Sequence, residues 1–190
     1  MNPRSNLKSL VKMRMFIAID VSEELKGYLA GVQKEIYSEF AKLVFTSDFH
    51  ITLKFLGDVS EEKFQEIINS LDKINSKKFS LQIDKLGFFD SEDYLKVIWA
   101  GVSPHDNVNE LQKQVEDSLI GLFPRDKFHP HITLARVKYV FDKEKFVSLM
   151  KSIKVNPIFF SVEKFVLYKS TLTRDGPVYE VVKVFEIGWY

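Results

Sequence analysis

Cysteine is absent from the 190 residues of this chain. Disulfides, zinc ribbons, iron–sulfur clusters and thiol nucleophiles are therefore excluded. An excess of charge of one sign is also lacking, because 27 Lys and Arg residues balance 26 Asp and Glu residues, so an anionic ligand must be held locally. No apolar run reaches the length of a membrane span, and we expect a cytoplasmic protein that does not bind membranes.

The length and the apolar content predict one core. A chain of 190 residues that is 45% apolar can bury a single substantial interior, which indicates one bilobal domain over residues 13–190. Residues 1–12 are polar and basic and directly precede the first strand-like run. We interpret them as a disordered or non-native extension.

Apolar periodicity predicts alternating strands and helices along the whole chain. In the first half the predicted order is strand 16–19, a helix capped by Ser22, strand 50–56 ended by Gly57, a helix capped by Ser60, and strand 79–86 ended by Gly87. In the second half, strands 97–102, 131–137 and 160–168 are separated by helices, and a last strand covers 178–187. The two halves repeat the same order of elements.

The two halves share few identical segments, but these segments recur at one common spacing. His-Ile-Thr-Leu occurs at residues 50–53 and again at 131–134, and Phe-Ser occurs at 79–80 and again at 160–161. Both repeats lie 81 residues apart, because 131 − 50 = 81 and 160 − 79 = 81. A shared offset predicts two related lobes with a pseudo-two-fold relationship.

The repeated tetrapeptide is the candidate catalytic motif. Strand alternation puts His50, Thr52 and Lys54 on one face and Ile51, Leu53 and Phe55 on the opposite, core-facing side. His131 and Thr133 repeat this arrangement, and two such strands related by approximate symmetry flank one cleft. Two imidazoles can remove a proton from the attacking oxygen of a phosphodiester cleavage and donate one to the leaving oxygen. The threonine hydroxyls can hold nonbridging phosphate oxygens without a metal.

Three alternatives compete with this interpretation. The histidines and threonines can be ordinary strand residues that satisfy local hydrogen bonds, although the repeat argues against that. His129 and His131 with His50 can supply three imidazoles to a transition metal, but this leaves both threonines unexplained. A noncatalytic RNA-binding module would keep the cleft, yet binding alone does not require two proton carriers.

Five stretches resemble a known family over nearly the whole chain from Met13 onward. The sequence is similar to the two-histidine (2H) phosphoesterase superfamily, specifically the bacterial and archaeal RNA 2′,3′-cyclic phosphodiesterases first described as 2′-5′ RNA ligases. The matching stretches are residues 14–20 (RMFIAID), 50–57 (HITLKFLG), 97–102 (VIWAGV), 128–136 (FHPHITLAR) and 167–170 (LYKS).

The resemblance implies a bilobal α+β fold in which antiparallel sheets and flanking helices meet at a central cleft. It implies hydrolysis of a cyclic phosphate to a 2′-phosphomonoester, with His50 as proton donor and His131 as proton acceptor. The residues alone leave that order open. The implied partners are RNA ends or small cyclic-phosphate nucleotides, with no metal or other cofactor, and we expect a monomer. Ligation to a 2′-5′ bond is the same-class alternative, because the same groups serve the reverse chemistry.

Residues near the motifs are further candidates. Family resemblance supports Arg136 as a phosphate ligand, but simple alternation puts it on the face opposite His131, so the strand must bend for it to reach the cleft. Where relatives carry tryptophan before the first motif, this chain has Phe45, which keeps stacking but loses an indole. Phe128 and Tyr168 are candidate base-stacking residues. Lys54 is expected to be an exposed, solvated strand lysine, and His105 a surface or capping residue.

Overall fold

The computed structural model describes residues 12–90, 95–174 and 176–188. Within these ranges the strands are β1 (Lys12–Asp20), β2 (Ala41–Phe45), β3 (His50–Ser60), β4 (Phe79–Asp90), β5 (Leu95–Ser103), β6 (His131–Val140), β7 (Phe159–Val162), β8 (Lys164–Thr173) and β9 (Gly176–Glu186). The helices are α1 (Glu23–Ile36), α2 (Glu61–Leu71), α3 (Asp106–Ser118) and α4 (Lys143–Ser152). The predicted extension at residues 1–12 lies outside these ranges except for Lys12, the first residue of β1. None of the helices in the described ranges is long and apolar enough to cross a membrane.

All strand pairs are antiparallel and belong to one sheet, with the order β7-β4-β5-β6-β3-β1-β8-β9 and with β2 on β6. The predicted α+β class is confirmed. The two lobes meet where β3 and β6 lie side by side, joined by one backbone pair, Ile51 with Ile132. Both motif strands therefore lie at the centre of the molecule.

Helix formation follows the predicted apolar stripes. Helix α1 begins after Ser22, whose side chain accepts a hydrogen bond from the backbone N–H of Leu25, as predicted for an N-cap. Ser60 stands at the N-cap of α2 but makes no side-chain capping bond. Both helices bury one face against the sheet, and Leu25, Leu29 and Ile67 are fully enclosed.

Two strand ends predicted at glycines and one strand predicted as continuous were wrong. Strand β3 continues past Gly57 to Ser60, because Gly57 adopts a φ of 66° that keeps the chain in the sheet across an irregularity. Strand β4 continues past Gly87 to Asp90, where β5 remains its partner. The single strand predicted over 160–168 is two strands, because β7 pairs with β4 whereas β8 pairs with β1 and β9.

Candidate active site

Each motif strand has an irregularity directly after its third motif residue. The register between β1 and β3 skips Leu53, and the register between β5 and β6 skips Leu134. These leucines lie 81 residues apart, so the irregularity is duplicated with the motif. A β-bulge of this kind puts two residues opposite one and bends the strand.

The bulge reverses the side-chain alternation that the sequence predicts. Lys54 was expected on the exposed face with His50 but is only 2% exposed, and Phe55 was expected in the core but is 66% exposed in the cleft. Both predictions were wrong for this one reason. Arg136, the counterpart of Phe55 in β6, is exposed and lines the same cavity as His50. The bulge therefore supplies the bend that Arg136 needs to reach the cleft.

Lys54 forms a buried ion pair behind the motif strand. Its Nζ lies 2.9 Å from both carboxylate oxygens of Glu116 in α3, 2.7 Å from the carbonyl oxygen of Pro124 and 3.2 Å from a carboxylate oxygen of Asp126. Glu116 is 4% exposed, so both charges depend on each other for compensation. The pair ties β3 to the segment that leads into β6.

His50 begins β3 and is enclosed by aromatic rings. The ring centroid of Tyr179 in β9 lies 5.5 Å away in an edge-on arrangement, and that of Phe16 lies 5.1 Å away. The backbone of Asp48, two residues earlier, raises the pKa of the His50 ring. The orientation of that ring is fixed by its packing against Phe16 and Tyr179.

His131 begins β6 and repeats that arrangement. Its Nδ1 lies 2.6 Å from the carbonyl oxygen of His129, also two residues earlier. Because a carbonyl only accepts, Nδ1 carries the proton in neutral His131 and Nε2 is left as the free base. The ring of Phe89 packs edge-on against His131 at 4.6 Å. The His131 imidazole is therefore held at Nδ1, with Nε2 as its free base.

Burial shifts both imidazoles in the same direction. Desolvation lowers the pKa of His50 below its usual 6.5, an effect partly offset by the carboxylates of Asp20 and Asp48. Desolvation likewise lowers the pKa of His131, offset in part by the carbonyl of His129. The charge of His131 lowers the pKa of His50 further. Two imidazoles beside one cleft can serve as general acid and general base.

Adjoining cavities bring the predicted site residues to one cleft. A central cavity of about 160 Å³ is lined by His50, Thr52, Thr133 and Arg136. A larger cavity of about 580 Å³ is lined by His131 and also by Thr52. Because Thr52 and Phe55 line both cavities, the five predicted residues lie around two adjoining cavities.

The other aromatic candidates differ in position. Phe45 lines the central cavity and Phe128 lines the larger one, where each ring is accessible to a base. The ring of Tyr168 instead stacks on Phe16 at 5.1 Å, and its hydroxyl donates a hydrogen bond to Asp20. It is not among the residues that line these two cavities.

Tyr179 is the site residue that the sequence did not predict. It lies in β9, far along the chain from either motif, and reaches His50 only because β9 extends the sheet beside β8. Nothing in its local sequence marks it.

The remaining histidines have separate roles. His129 packs against Trp99 at 4.9 Å and lines the larger cavity, while its carbonyl positions His131. His105 stands at the N-cap of α3 without a side-chain capping bond. In the part of the chain that the structure describes, no group of three His, Cys, Asp or Glu side chains is placed to hold a metal ion. A three-imidazole site made of His50, His129 and His131 is thus not formed.

The fold and the site together define a duplicated α+β protein with paired histidines at the junction of its lobes. The chain belongs to the LigT-like phosphoesterase family, whose model matches it twice, over residues 19–99 and 101–179. Each match covers one half of the duplicated sequence, as the repeat predicts. The family resemblance inferred from the motifs is confirmed.

The similarity to known proteins extends along nearly the whole chain. An RNA 2′,3′-cyclic phosphodiesterase of Methanocaldococcus jannaschii is 37% identical over 90% of this chain and 99% of its own length. One from Thermotoga maritima is 36% identical over 90% of this chain and 93% of its own length. The crystal structure of Escherichia coli LigT in apo form superposes with a TM-score of 0.75 at 25% identity, covering 94% of this chain and 99% of LigT.

Proposed function

We propose that this protein hydrolyses RNA 2′,3′-cyclic phosphate ends to 2′-phosphomonoesters by paired-histidine acid–base catalysis. The observation that carries the proposal is the duplicated histidine geometry: two imidazoles at the starts of the neighbouring strands β3 and β6, each packed against aromatic rings and exposed to a backbone effect from two residues earlier. The names of the relatives and a LigT structure complexed with 3′-AMP support a nucleotide substrate.

The proposed reaction moves two protons and exchanges one bond. His131 Nε2 takes a proton from water as the water oxygen bonds to phosphorus. The bond from phosphorus to the ribose 3′ oxygen breaks, and His50 donates its proton to that oxygen. The product carries a 2′-phosphate and a 3′-hydroxyl, and the histidine pair returns to its starting state by exchanging one proton with solvent.

Three groups hold the phosphate in this proposal. The hydroxyls of Thr52 and Thr133 donate to nonbridging oxygens, and Arg136 offers a planar, doubly donating guanidinium to the same charge. All three line the central cavity beside His50. Charge that develops in the transition state is then met by donors already in place.

Ligation to a 2′-5′ bond is the second candidate function. The cavity on the His131 side holds about 580 Å³, far more than one water needs, and Phe128 and Lys127 line it. A 5′-hydroxyl of another RNA placed there would replace water as the nucleophile. A noncatalytic RNA-binding module, by contrast, would not require the two imidazoles, because binding alone needs no proton transfer.

The test is direct. Purified protein is incubated with an end-labelled RNA that carries a 2′,3′-cyclic phosphate, with and without a strong chelator, and the product is compared with authentic 2′- and 3′-phosphate standards. We expect the 2′-phosphate in both conditions. Absence of turnover would overturn the proposal. A 3′-phosphate product would show that the 2′ oxygen leaves instead of the 3′ oxygen. Rescue of a chelated enzyme by a divalent ion would contradict metal independence. Adding a 5′-hydroxyl RNA and looking for a longer strand tests ligation.

We further propose a monomer that acts in the cytoplasm. All the proposed catalytic and phosphate-binding groups come from one chain. RNA, the proposed substrate, is an intracellular polymer. Light scattering of the protein as it elutes from a size-exclusion column measures the oligomeric state.

A further inference from the structure

The cleft continues beyond His50 into a third cavity that the proposed mechanism does not use. This cavity, of about 230 Å³, lies between β1, β3, β8 and β9. Its charged and aromatic lining consists of Arg14, Phe16, Phe55, Arg136 and Tyr179. Phe55, Arg136 and Tyr179 also line the central cavity, so the two spaces adjoin.

The guanidinium groups of Arg14 and Arg136 both line this cavity. Neither Arg14 nor Arg136 makes an ion pair within residues 12–90, 95–174 and 176–188. Asp58 is the cross-strand neighbour of Arg14 in β3, yet it is exposed and forms no bond with it. Two unpaired cations at one concave surface favour an anionic ligand.

Tyr179 lines the same cavity as the two cations. Burial and the carboxylate of Asp48 raise the pKa of its hydroxyl, whereas Arg136 and Arg14 oppose that shift, so both guanidinium groups act on the same phenol. Its ring centroid lies 4.8 Å from that of Phe16, edge-on, which fixes the ring. Phe55 beside it is 66% exposed and offers an open aromatic face. Aromatic faces next to cations are the usual surface for single-stranded nucleic acid.

The direction of the proposed reaction decides which part of the substrate enters this cavity. In an in-line displacement the attacking and leaving oxygens lie on opposite sides of phosphorus. Water at His131 and the departing 3′ oxygen at His50 therefore put the ribose on the His50 side. The strand on the 5′ side of that ribose must leave the site in the same direction, towards Tyr179 and Arg14.

We propose that the Arg14 cavity is a subsite for the penultimate nucleotide of an RNA strand. Arg14 contacts the phosphodiester that joins the last two nucleotides, and the penultimate base stacks on Phe55 or Tyr179. The substrate is then an RNA of at least two nucleotides in preference to a cyclic mononucleotide. This inference rests on the proposed hydrolysis and adds its substrate class.

The experiment compares three substrates on each enzyme variant: a 2′,3′-cyclic mononucleotide, the dinucleotide with the same terminal cyclic phosphate, and that dinucleotide with an uncharged methylphosphonate linkage. The readout is the ratio of kcat/KM for each dinucleotide to that for the mononucleotide. The variants are wild type, Arg14→Ala, and Lys34→Ala as a control that removes an exposed cation of α1.

Wild type should prefer the charged dinucleotide, and both Arg14→Ala and the uncharged linkage should reduce that preference about 10- to 100-fold, the effect of one charge-assisted contact. Applied together, the two changes should cost no more than either alone, because they remove the same contact. Lys34→Ala should keep the wild-type ratio. A dinucleotide preference that survives Arg14→Ala, or equal losses with all three substrates, overturns the subsite. Wild type that hydrolyses none of them overturns the proposed function instead.

Discussion

Ile51 pairs with Ile132 across the junction of β3 and β6, and each is the other's counterpart in the repeat of 81 residues. The same holds for Ser80 and Ser161 where β4 meets β7. A residue can face its own copy only on a two-fold axis, so the pseudo-symmetry axis passes between the motifs. Because β3 and β6 are antiparallel, His50 lies opposite Thr133, the threonine of the second motif. Duplication thus builds one cleft out of two half-sites.

The paired histidines give the first prediction. His50→Ala and His131→Ala should each lower kcat about 10²–10⁴-fold, the usual worth of one general acid or base. The double variant should lose far less than the product of the two, because deleting one group already disables the coupled proton transfers. Single-turnover rates measure this, with thermal unfolding to verify the fold. A folded single variant that keeps near-wild-type turnover would remove that histidine from the mechanism.

The pH dependence gives the second prediction. The proposed mechanism requires a protonated His50 and a neutral His131, and burial lowers the pKa of both below 6.5. The plot of kcat/KM against pH should be bell-shaped and displaced to the acidic side. Its two limbs report apparent pKa values of the histidine pair and not of either residue alone. Bound phosphate favours imidazolium, so the kcat plot should shift to higher pH. An optimum for kcat/KM well above pH 7 would contradict the burial effect.

The same shifts affect stability. A histidine whose folded pKa lies below its unfolded value favours the unfolded chain when it is protonated. The free energy of unfolding should therefore be fully retained above about pH 6.5 and decrease as the pH falls below that value, towards the lowered folded pKa values. Urea titrations from pH 7.5 to 5 measure it. His131→Ala should reduce the slope.

Much of the architecture could be predicted because it is encoded locally. Apolar stripes marked the helices, and Ser22 marked the start of α1. The repeated tetrapeptide, together with its spacing, predicted the two lobes and the two candidate catalytic strands. These features depend on residues that are close in sequence or identical in chemistry.

The parts that were missed depend on tertiary pairing. The bulge at the leucine of each motif has no sequence signature of its own, since Leu53 looks like any other strand leucine, yet the bulge moves Lys54 into the core and Phe55 into the cleft. Tyr179 reaches His50 through strand order alone. Glu116 is one of many helix glutamates until Lys54 is known to be buried beside it.

Arg136 gives a prediction about anion binding. Arg136→Ala should lower kcat/KM about 10- to 100-fold and weaken competitive inhibition by inorganic phosphate, because a charge-assisted contact is lost. Arg136→Lys should recover part of both effects, since it restores the charge without the two-pronged geometry. Lys34→Ala is the matched control. Unchanged kinetics in Arg136→Ala would place the guanidinium outside the site.

Gly87 gives a prediction about packing behind His131. A Cβ at this position would lie 2.3 Å from Cζ2 of Trp99, whose ring is 6.3 Å from that of His131. Gly87→Ala should cost about 1–3 kcal/mol of stability by overpacking and should lower kcat by moving the indole. Gly31→Ala is the control, because a Cβ at that position would have nothing within 4 Å and a helical alanine stabilises by about 0.5–1 kcal/mol. Equal unfolding midpoints for the two variants would refute the contact.

The buried pair of Lys54 and Glu116 gives the last prediction. Lys54→Met leaves a carboxylate that is 4% exposed without its cation, which should cost about 3–5 kcal/mol. Adding Glu116→Leu removes the orphaned charge, so the double variant should be more stable than Lys54→Met alone. Lys26→Met, which breaks an exposed pair with Glu23, should cost less than about 1 kcal/mol. Urea unfolding of the four proteins measures the coupling. If Lys54→Met is no worse than Lys26→Met, the pair is solvated in solution and does not tie β3 to the segment before β6.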